Sequence, residues 1–387
     1  IWDIDNESSS EHFIFGAALN HSIPSLNIDT RISYGLDYTD ILNRQTIPFD
    51  WPLLPRGSRN LNRYNHRTQS FEMSSTMRSK FGTSISSKLS VGGQIFNDRN
   101  HTLFAFAEDF GGPGPKTISS GGTKQSDESY LNIVTAGIYA EEVLGFNERA
   151  YLTLGVRVDG HSAFGGDYGL ETYPKVAGSY IISDHDFWPA FWEVMKLRMA
   201  YGQSGKAPNA FASVRTWNPV TGNGGQSGVT PANLGNADLG PERSTEVEFG
   251  FEASMLNGII GLDVTAYNST TNDALMPVTA PPSQGWLNAQ LANVGSFRNK
   301  GIEVSLKTTP VQTRDLKIEF GASYSTNDSE ILDLGGTPEF FVGWGPLLGQ
   351  WVKEGYPVVS MWGNKVMNPN EKVDPVLSDD MEYYGPV

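Results

Sequence analysis

Apolar and polar residues alternate along most of this chain, in stretches that come in pairs. Each pair meets at a short connection and then parts across a long one. The short connections fall near residues 24–25, 82–84, 143–149, 184–194, 256–258 and 310–315. The long ones fall near 41–68, 108–128, 160–172, 205–243, 269–299 and from about 326 onward. Period two places successive side chains on opposite faces of a β-strand. Short turns at one end of a sheet and long loops at the other are the pattern of a membrane-spanning antiparallel β-barrel.

The faces can be followed residue by residue. In 27–38, Ile28, Thr30, Ile32, Tyr34, Leu36 and Tyr38 oppose Asn27, Asp29, Arg31, Ser33, Gly35 and Asp37. In 244–255, Val247, Phe249, Phe251, Ala253 and Met255 oppose Glu246, Glu248, Gly250, Glu252 and Ser254. Residues 151–159, 259–267 and 316–325 divide in the same way. A soluble sandwich would bury the apolar set, whereas a barrel turns it to lipid and lets the charged set line a wet lumen. Strand pattern alone does not separate these two; loop asymmetry and strand length favour the barrel. Asn257-Gly258 predicts a two-residue hairpin turn. In 129–142 two registers compete, so a bulge is expected and the face stays open. About twelve strands precede Thr326. Residues 327–387, rich in Gly, Pro and Trp, read as mostly one long outer loop with short strand pieces.

Composition narrows the class. The chain has 387 residues and no apolar run of the length, about 18 residues, that a membrane-crossing helix needs. That says nothing against a barrel, whose alternate residues average out in hydropathy. Its formal charge is −15, with 43 acidic against 28 basic residues, so nucleic acid is not expected as a partner. Cysteine is absent, which excludes disulfides and thiolate chemistry. Ile1 is not an initiator Met, no leader pattern precedes the first strand, and 381–387 reads as loop; a piece of a longer chain is expected.

Candidate chemistry is sparse. His12, His21, His66, His101, His161 and His185 show no metal-ligand spacing, and Asp184-His185-Asp186 reads as a solvated turn. No G-x-S-x-G is present, and the glycine clusters at 111–114 and 222–225 lie in loops without a following helix. No catalytic residue, metal or cofactor is expected. Tyr151, Trp188, Phe191 and Trp192 lie near turns, where an aromatic girdle meets the membrane interface. Trp217, Trp286, Trp344 and Trp351 lie in long outer loops; they are candidate substrate contacts, with packing inside the loops as the alternative.

From about residue 150 the chain resembles the barrel of TonB-dependent outer-membrane transporters. The segment Asn236-Ala237-Asp238-Leu239-Gly240-Pro241-Glu242-Arg243-Ser244-Thr245-Glu246 is similar to the family's N-x-x-L-x-P-E-[RK]-[ST]-x-[ES], which closes an outer loop and opens a strand. Leu262 to Asn268 resembles its next strand. Asn293-Val294-Gly295 followed by Asn299-Lys300-Gly301-Ile302-Glu303 resembles its next strand entry. Three further pieces resemble the SusC/RagA-like branch. They are Arg157-Val158-Asp159-Gly160-His161-Ser162-Ala163-Phe164-Gly165, Leu197-Arg198-Met199-Ala200-Tyr201-Gly202-Gln203-Ser204-Gly205, and Glu354-Gly355-Tyr356-Pro357 ahead of Trp362-Gly363.

The resemblance implies a barrel of about 22 strands around a plug, of which 1–387 would be a partial barrel domain lacking plug and final strands. It implies an outer-membrane location in lipid and TonB engaged through the missing plug segment. It also implies a SusD-like surface lipoprotein and energised import of a glycan or other oligomer too large for porins. Glu242 and Arg243 read as the anchor of a loop base through an ion pair, with direct substrate contact as the alternative. A passive porin-like channel is the alternative, and an outer-membrane enzyme a more distant one.

Overall fold

The structure, a computed structural model, describes residues 4–114, 116–164, 169–278, 283, 289–342, 348–370 and 376–386. Strands dominate it. They are β1 (Asp5–Ile23), β2 (Ile28–Ile47), β3 (Ser58–Phe81), β4 (Ile85–Phe110), β5 (Gly121–Phe146), β6 (Ala150–His161) and β7 (Glu171–Ile181). There follow β8 (Trp192–Lys206), β9 (Thr216–Thr221), β10 (Ser227–Asn233), β11 (Glu242–Met255), β12 (Ile260–Asn272), β13 (Leu275–Val278) and β14 (Gln290–Asn293). The last are β15 (Ser296–Gln312), β16 (Lys317–Ser325), β17 (Asp328–Asp333), β18 (Phe340–Phe341), β19 (Leu348–Val352), β20 (Ser360–Val366) and β21 (Leu377–Pro386).

Two compact units divide the chain. The first holds Ile1–Met77, Ser90–Ala140 and Val158–Ser162; the second holds Arg78–Leu89, Glu141–Arg157 and Ala163–Val387. In the first, β1 to β5 neighbour one another in sequence order. In the second the order is β6, β7, β8, β11, β12, β15, β16, with β17 also on β15. Each unit is an antiparallel meander, and among the described residues β1 pairs only with β2 and β16 only with β15.

The tight turns form where the alternation stops and residues tolerant of left-handed backbone stand. Asn27 (φ 51°) closes the β1–β2 turn with its N–H on Pro24 O at 3.2 Å. Gly82 opens the β3–β4 turn at φ 66°, and Asn147 and Glu148 make the β5–β6 turn at 51° and 57°. The β11–β12 connection differs from expectation. Leu256, Asn257 and Gly258 all have positive φ, and the connection runs over the four residues 256–259. Leu256 donates its N–H to Phe191 O at 3.1 Å, which draws it out of the hairpin ladder and lengthens the turn.

In the second unit the register aligns the apolar faces strand by strand. Phe249 stands opposite Met199 and Ala266, and Ala266 opposite Ile302. Phe251 stands opposite Leu197 and Val264, and Val264 opposite Val304. These side chains are not a protein core: Met199 and Phe249 are each 58% exposed and Ile302 48%. Large apolar surface held in contiguous rows needs a non-aqueous neighbour. A lipid-facing barrel wall supplies that neighbour.

The opposite face is polar and internally paired. Arg198 donates to Glu252 Oε1 at 3.0 Å, Asp263 Oδ1 at 2.6 Å and Thr265 Oγ1 at 2.5 Å. Gly250, between Arg198 and Thr265 in the register, leaves the space this guanidinium crosses, since a Cβ there would meet Arg198 Nε at 2.9 Å. Lys196 adds an ion pair to Glu252 at 3.3 Å. Lys196, Arg198, Glu252 and Asp263 thus pair with one another on the wet wall and not on the apolar one.

The outer connections 41–68 and 108–128 are mostly strand rather than loop. β2 continues to Ile47, β3 begins at Ser58, β4 continues to Phe110 and β5 begins at Gly121. Beyond the roughly 9–11 residues that cross a bilayer, both strand faces meet water, so apolar alternation fades while the hydrogen-bond ladder continues. β5 runs unbroken through 129–142. Residues 327–387 hold β17 and a four-stranded sheet ordered β18-β19-β20-β21. A small core of Ala274, Met276, Ile331, Leu334 and Val352 lies among the outer elements of the second unit.

Candidate functional site

The outer ends of β11, β12 and β15 carry a set of loop anchors, and the motif residues build it. The loop entering β11 is folded by side-chain amides. Asn233 Nδ2 donates to the carbonyls of Phe211 (2.9 Å), Ala212 (3.2 Å) and Val214 (3.0 Å). Gly235 follows at φ 76°, where a Cβ would lie 2.5 Å from Arg215 N. Asn236 then makes an Asx turn, its Oδ1 accepting from Asp238 N at 3.1 Å. Leu239 is fully buried, and Gly240 and Pro241 are buried beside it.

Asn293 locks this loop to the next one. Its Oδ1 accepts from Gly240 N at 2.8 Å, and its Nδ2 donates to Gly240 O at 2.9 Å and Asp273 O at 3.0 Å. Glu242 and Arg243 act separately. Glu242 Oε1 accepts the N–H of Leu275 at 2.8 Å, tying β11 to the first residue of β13. Arg243 Nη2 pairs with Glu171 Oε2 at 2.6 Å, and the Glu171 side chain is 7% exposed.

The second motif continues the chain of contacts. Val294 N donates to Ala274 O at 2.9 Å, and Ala274 N to Gly295 O at 3.3 Å. Gly295 has φ 77° and lies against the Asp333 carbonyl, with Leu334 Cα 3.1 Å from where a Cβ would be. Gly301 lies close against Thr326 O and, less tightly, Tyr267, whose hydroxyl donates to Thr326 O at 3.2 Å. Glu303 stands opposite Thr265 and Ser325 in the polar row. From the third motif, Glu354 Oε1 accepts from Leu334 N at 2.8 Å and Gly355 (φ 77°) donates to Ile331 O at 2.9 Å. Tyr356 O accepts from Ile331 N at 2.8 Å, and Pro357 follows half-buried. Three motifs separated in sequence thus meet around β13, β14 and β17.

The other expected positions lie elsewhere. Tyr201 and Gly202 sit within β8, opposite Val247 and Glu246, and Gln203 Nε2 donates to the Tyr201 hydroxyl at 3.0 Å. Asp159 and Gly160 are near the end of β6, just before Ser162, whose N–H donates to Val134 O at 3.0 Å within the first unit. Trp217 is on β9, half-exposed at 50% and opposite Pro231. Trp351, on β19, has its ring against Phe341 at 5.8 Å with Lys353 Nζ 5.3 Å from its centroid. Trp286, Trp344 and Gly165 lie outside the described residues. His185 bonds to the Tyr180 hydroxyl and stacks on Phe187, while Asp184 faces Arg149 at 3.8 Å. Among the described residues no group of three or more His, Cys, Asp or Glu could hold a metal ion. Sequence reasoning missed Glu171 and Asn233. Both are polar residues at strand ends, and nothing short of a partner distant in sequence marks them.

An antiparallel meander with an apolar outer face, a charge-paired inner face and long anchored loops at one end defines an outer-membrane β-barrel wall. The comparisons give the family. Residues 2–368 match the family described as TonB dependent receptor-like, beta-barrel, and the chain belongs to it. Its place is the Gram-negative outer membrane. It is 36% identical over 214 residues to TonB-dependent receptor P26 of Formosa agariphila, covering 54% of this chain and 21% of that receptor. It is 28% identical over 200 residues to TonB-dependent receptor SusC of Bacteroides thetaiotaomicron, covering 49% of this chain and 20% of SusC. Its fold matches the RagAB peptide transporter with TM-score 0.88 at 20% identity, covering 99% of this chain and 45% of that one. The chain is thus similar in sequence to SusC and in fold to the RagAB transporter, and it spans less than half the length of these relatives.

Proposed function

We propose that this chain is the barrel wall and outer-loop support of a TonB-energised importer. Its cargo is a nutrient too large for porins, a glycan or other oligomer, delivered with a SusD-like surface lipoprotein. The observation that carries the reading is the interlock of Gly240, Asn293, Gly295 and Glu354 across three outer loops. A passive pore needs its loops only to stay out of the way. A receptor must hold them in one arrangement against a captured ligand, because preorganised loops lower the ordering cost of binding. Family membership supports the energised step. Of the four candidate tryptophans, Trp217 and Trp351 are among the described residues, and Trp217, 50% exposed, is the one whose exposure suits contact with cargo.

The test is uptake of labelled oligomers by the encoding strain, by a deletion of this gene and by a deletion of TonB. Loss of uptake in both deletions is expected. Uptake that requires this gene but survives loss of TonB would establish a passive channel instead.

A further inference from the structure

The outer end of the first unit carries a block of uncharged hydrogen-bonding side chains on one face. Register places Asn6 beside Gln45 and Gln45 beside Asn60, one row across β1, β2 and β3. The next row toward the membrane is Ser8, Asn43 and Asn62, followed by Ser10, Ile41 and Tyr64, then His12, Thr39 and His66. No Asp, Glu, Lys or Arg stands in these rows, although the chain carries a charge of −15. The opposite face at the same height is charged, with Glu7–Arg44 paired at 2.7 Å and Asp40–Arg63 at 2.5 Å. Charge and neutral polarity are therefore sorted between two faces that both lie above the bilayer. β2 is 20 residues long, about twice what a tilted strand needs to cross, and Gln45 is near its outer end. The neutral face is the one that carries Arg31 and Asp37 lower down, opposite the apolar Tyr34 and Leu36.

The amides are only partly occupied. Gln45 donates to Asn6 at 3.0 Å, Ser8 to Asn43 at 2.7 Å and Asn62 to Asn60 at 3.1 Å. A primary amide offers two N–H donors and a carbonyl with two lone pairs. Among the described residues, nothing else takes the Asn43 and Asn60 amide hydrogens or the Gln45 carbonyl, which remain for a ligand. Strand geometry spaces these groups about 4.8 Å across and about 6.8 Å along the sheet, a grid that can grip an extended oligomer repeatedly.

We propose that these rows form a contact wall for a neutral oligosaccharide entering from outside, an inference that rests on the importer reading above. Each sugar hydroxyl is both donor and acceptor, which matches side-chain amides. A charged glycan would find no carboxylate, lysine or arginine in the rows, and His12, in the innermost of them, is already turned to Asp37 at 3.0 Å. A peptide main chain offers its donors and acceptors in line, which suits a strand edge rather than a grid of side chains. The Tyr64 ring, 46% exposed at the third row, adds a flat apolar surface with a polar tip.

The experiment measures binding by calorimetry to the intact receptor that carries this chain. The probes are maltohexaose, cellohexaose, xylohexaose, hexagalacturonate and an uncharged hexapeptide. The variants are Asn43→Ala/Gln45→Ala/Asn60→Ala, and Asn43→Asp/Asn60→Asp as a near-isosteric pair that preserves packing. At least one neutral hexaose should bind the wild type and lose 10-fold or more in affinity in both variants, at unchanged outer-membrane level. Neutral hexaose affinity unchanged in either variant, preference for hexagalacturonate or the hexapeptide, or binding of no neutral hexaose would each overturn the wall. TonB-dependent uptake that persists unaltered in the variants would remove the wall and leave the importer. Uptake independent of TonB would remove the importer reading itself.

Discussion

Asn293 holds Gly240 from both sides, accepting its N–H at 2.8 Å and donating to its carbonyl at 2.9 Å across 53 residues of sequence. A third bond from the same amide, to Asp273 O at 3.0 Å, brings in the end of β12. Asn293→Ala removes all three and leaves the buried Gly240 N–H and carbonyl without partners. The expected cost to the outer loops is about 2–4 kcal/mol. Hydrogen exchange at 234–241 and 273–276 should accelerate by roughly 30-fold or more, while β11 and β12 below keep wild-type protection. Equal protection in the loops would show that the amide is not their lock.

Gly295 and Gly258 have nearly the same φ, 77° and 76°, in opposite surroundings. A Cβ at Gly258 meets nothing within 4 Å, whereas one at Gly295 runs into the Asp333 carbonyl and Leu334. Gly258→Ala should therefore cost about 1 kcal/mol, the penalty of left-handed backbone alone. Gly295→Ala should cost roughly 2–4 kcal/mol, because β17 must shift as well. Denaturant unfolding of the two variants gives the comparison.

The Arg243–Glu171 pair is asymmetric, with side chains 51% and 7% exposed. Removing the arginine strands a buried carboxylate. Arg243→Ala is expected to destabilise by about 2 kcal/mol, less than a fully buried pair because the guanidinium is half in water. Glu171→Gln, which retains an acceptor, should cost about half as much. The exposed Lys300–Asp328 pair at 3.1 Å is the control, expected to contribute about 0–1 kcal/mol. A double-mutant cycle on each pair measures the difference.

The strands and their tight turns could be read from the sequence because a one-sided environment forces period two. Phe249 and Glu248 differ in polarity because one meets lipid and the other a wet wall. The outer extensions of β2 and β3 could not be read so. Gln45, Asn60 and Asn62 stand where both faces meet water, and polar residues there resemble a loop. The motif segments marked where loops close onto strands, yet spacing could not disclose the Asn293–Gly240 contact or the Glu171 partner of Arg243. The tryptophans show the limit of residue type as a signal. Trp217 is half-exposed and Trp351 packs on Phe341 and Lys353, a difference set by loop packing rather than by local pattern.

The most direct test of the membrane-wall account uses this chain's lack of cysteine, which lets single thiols be introduced into it and read against the same membranes carrying the unsubstituted chain. Cysteines at Met199, Phe249 and Ile302 probe the apolar rows, and cysteines at Ala200, Thr265 and Ser305 probe the polar ones. In intact outer membranes of the encoding strain, the first set should resist a charged aqueous maleimide, and its bimane fluorescence should be quenched by brominated lipid. The second set should escape the lipid quencher. Lipid quenching of both sets alike, or aqueous labelling of Phe249→Cys, would contradict the assignment of the apolar rows to lipid, and with it the barrel on which the account rests.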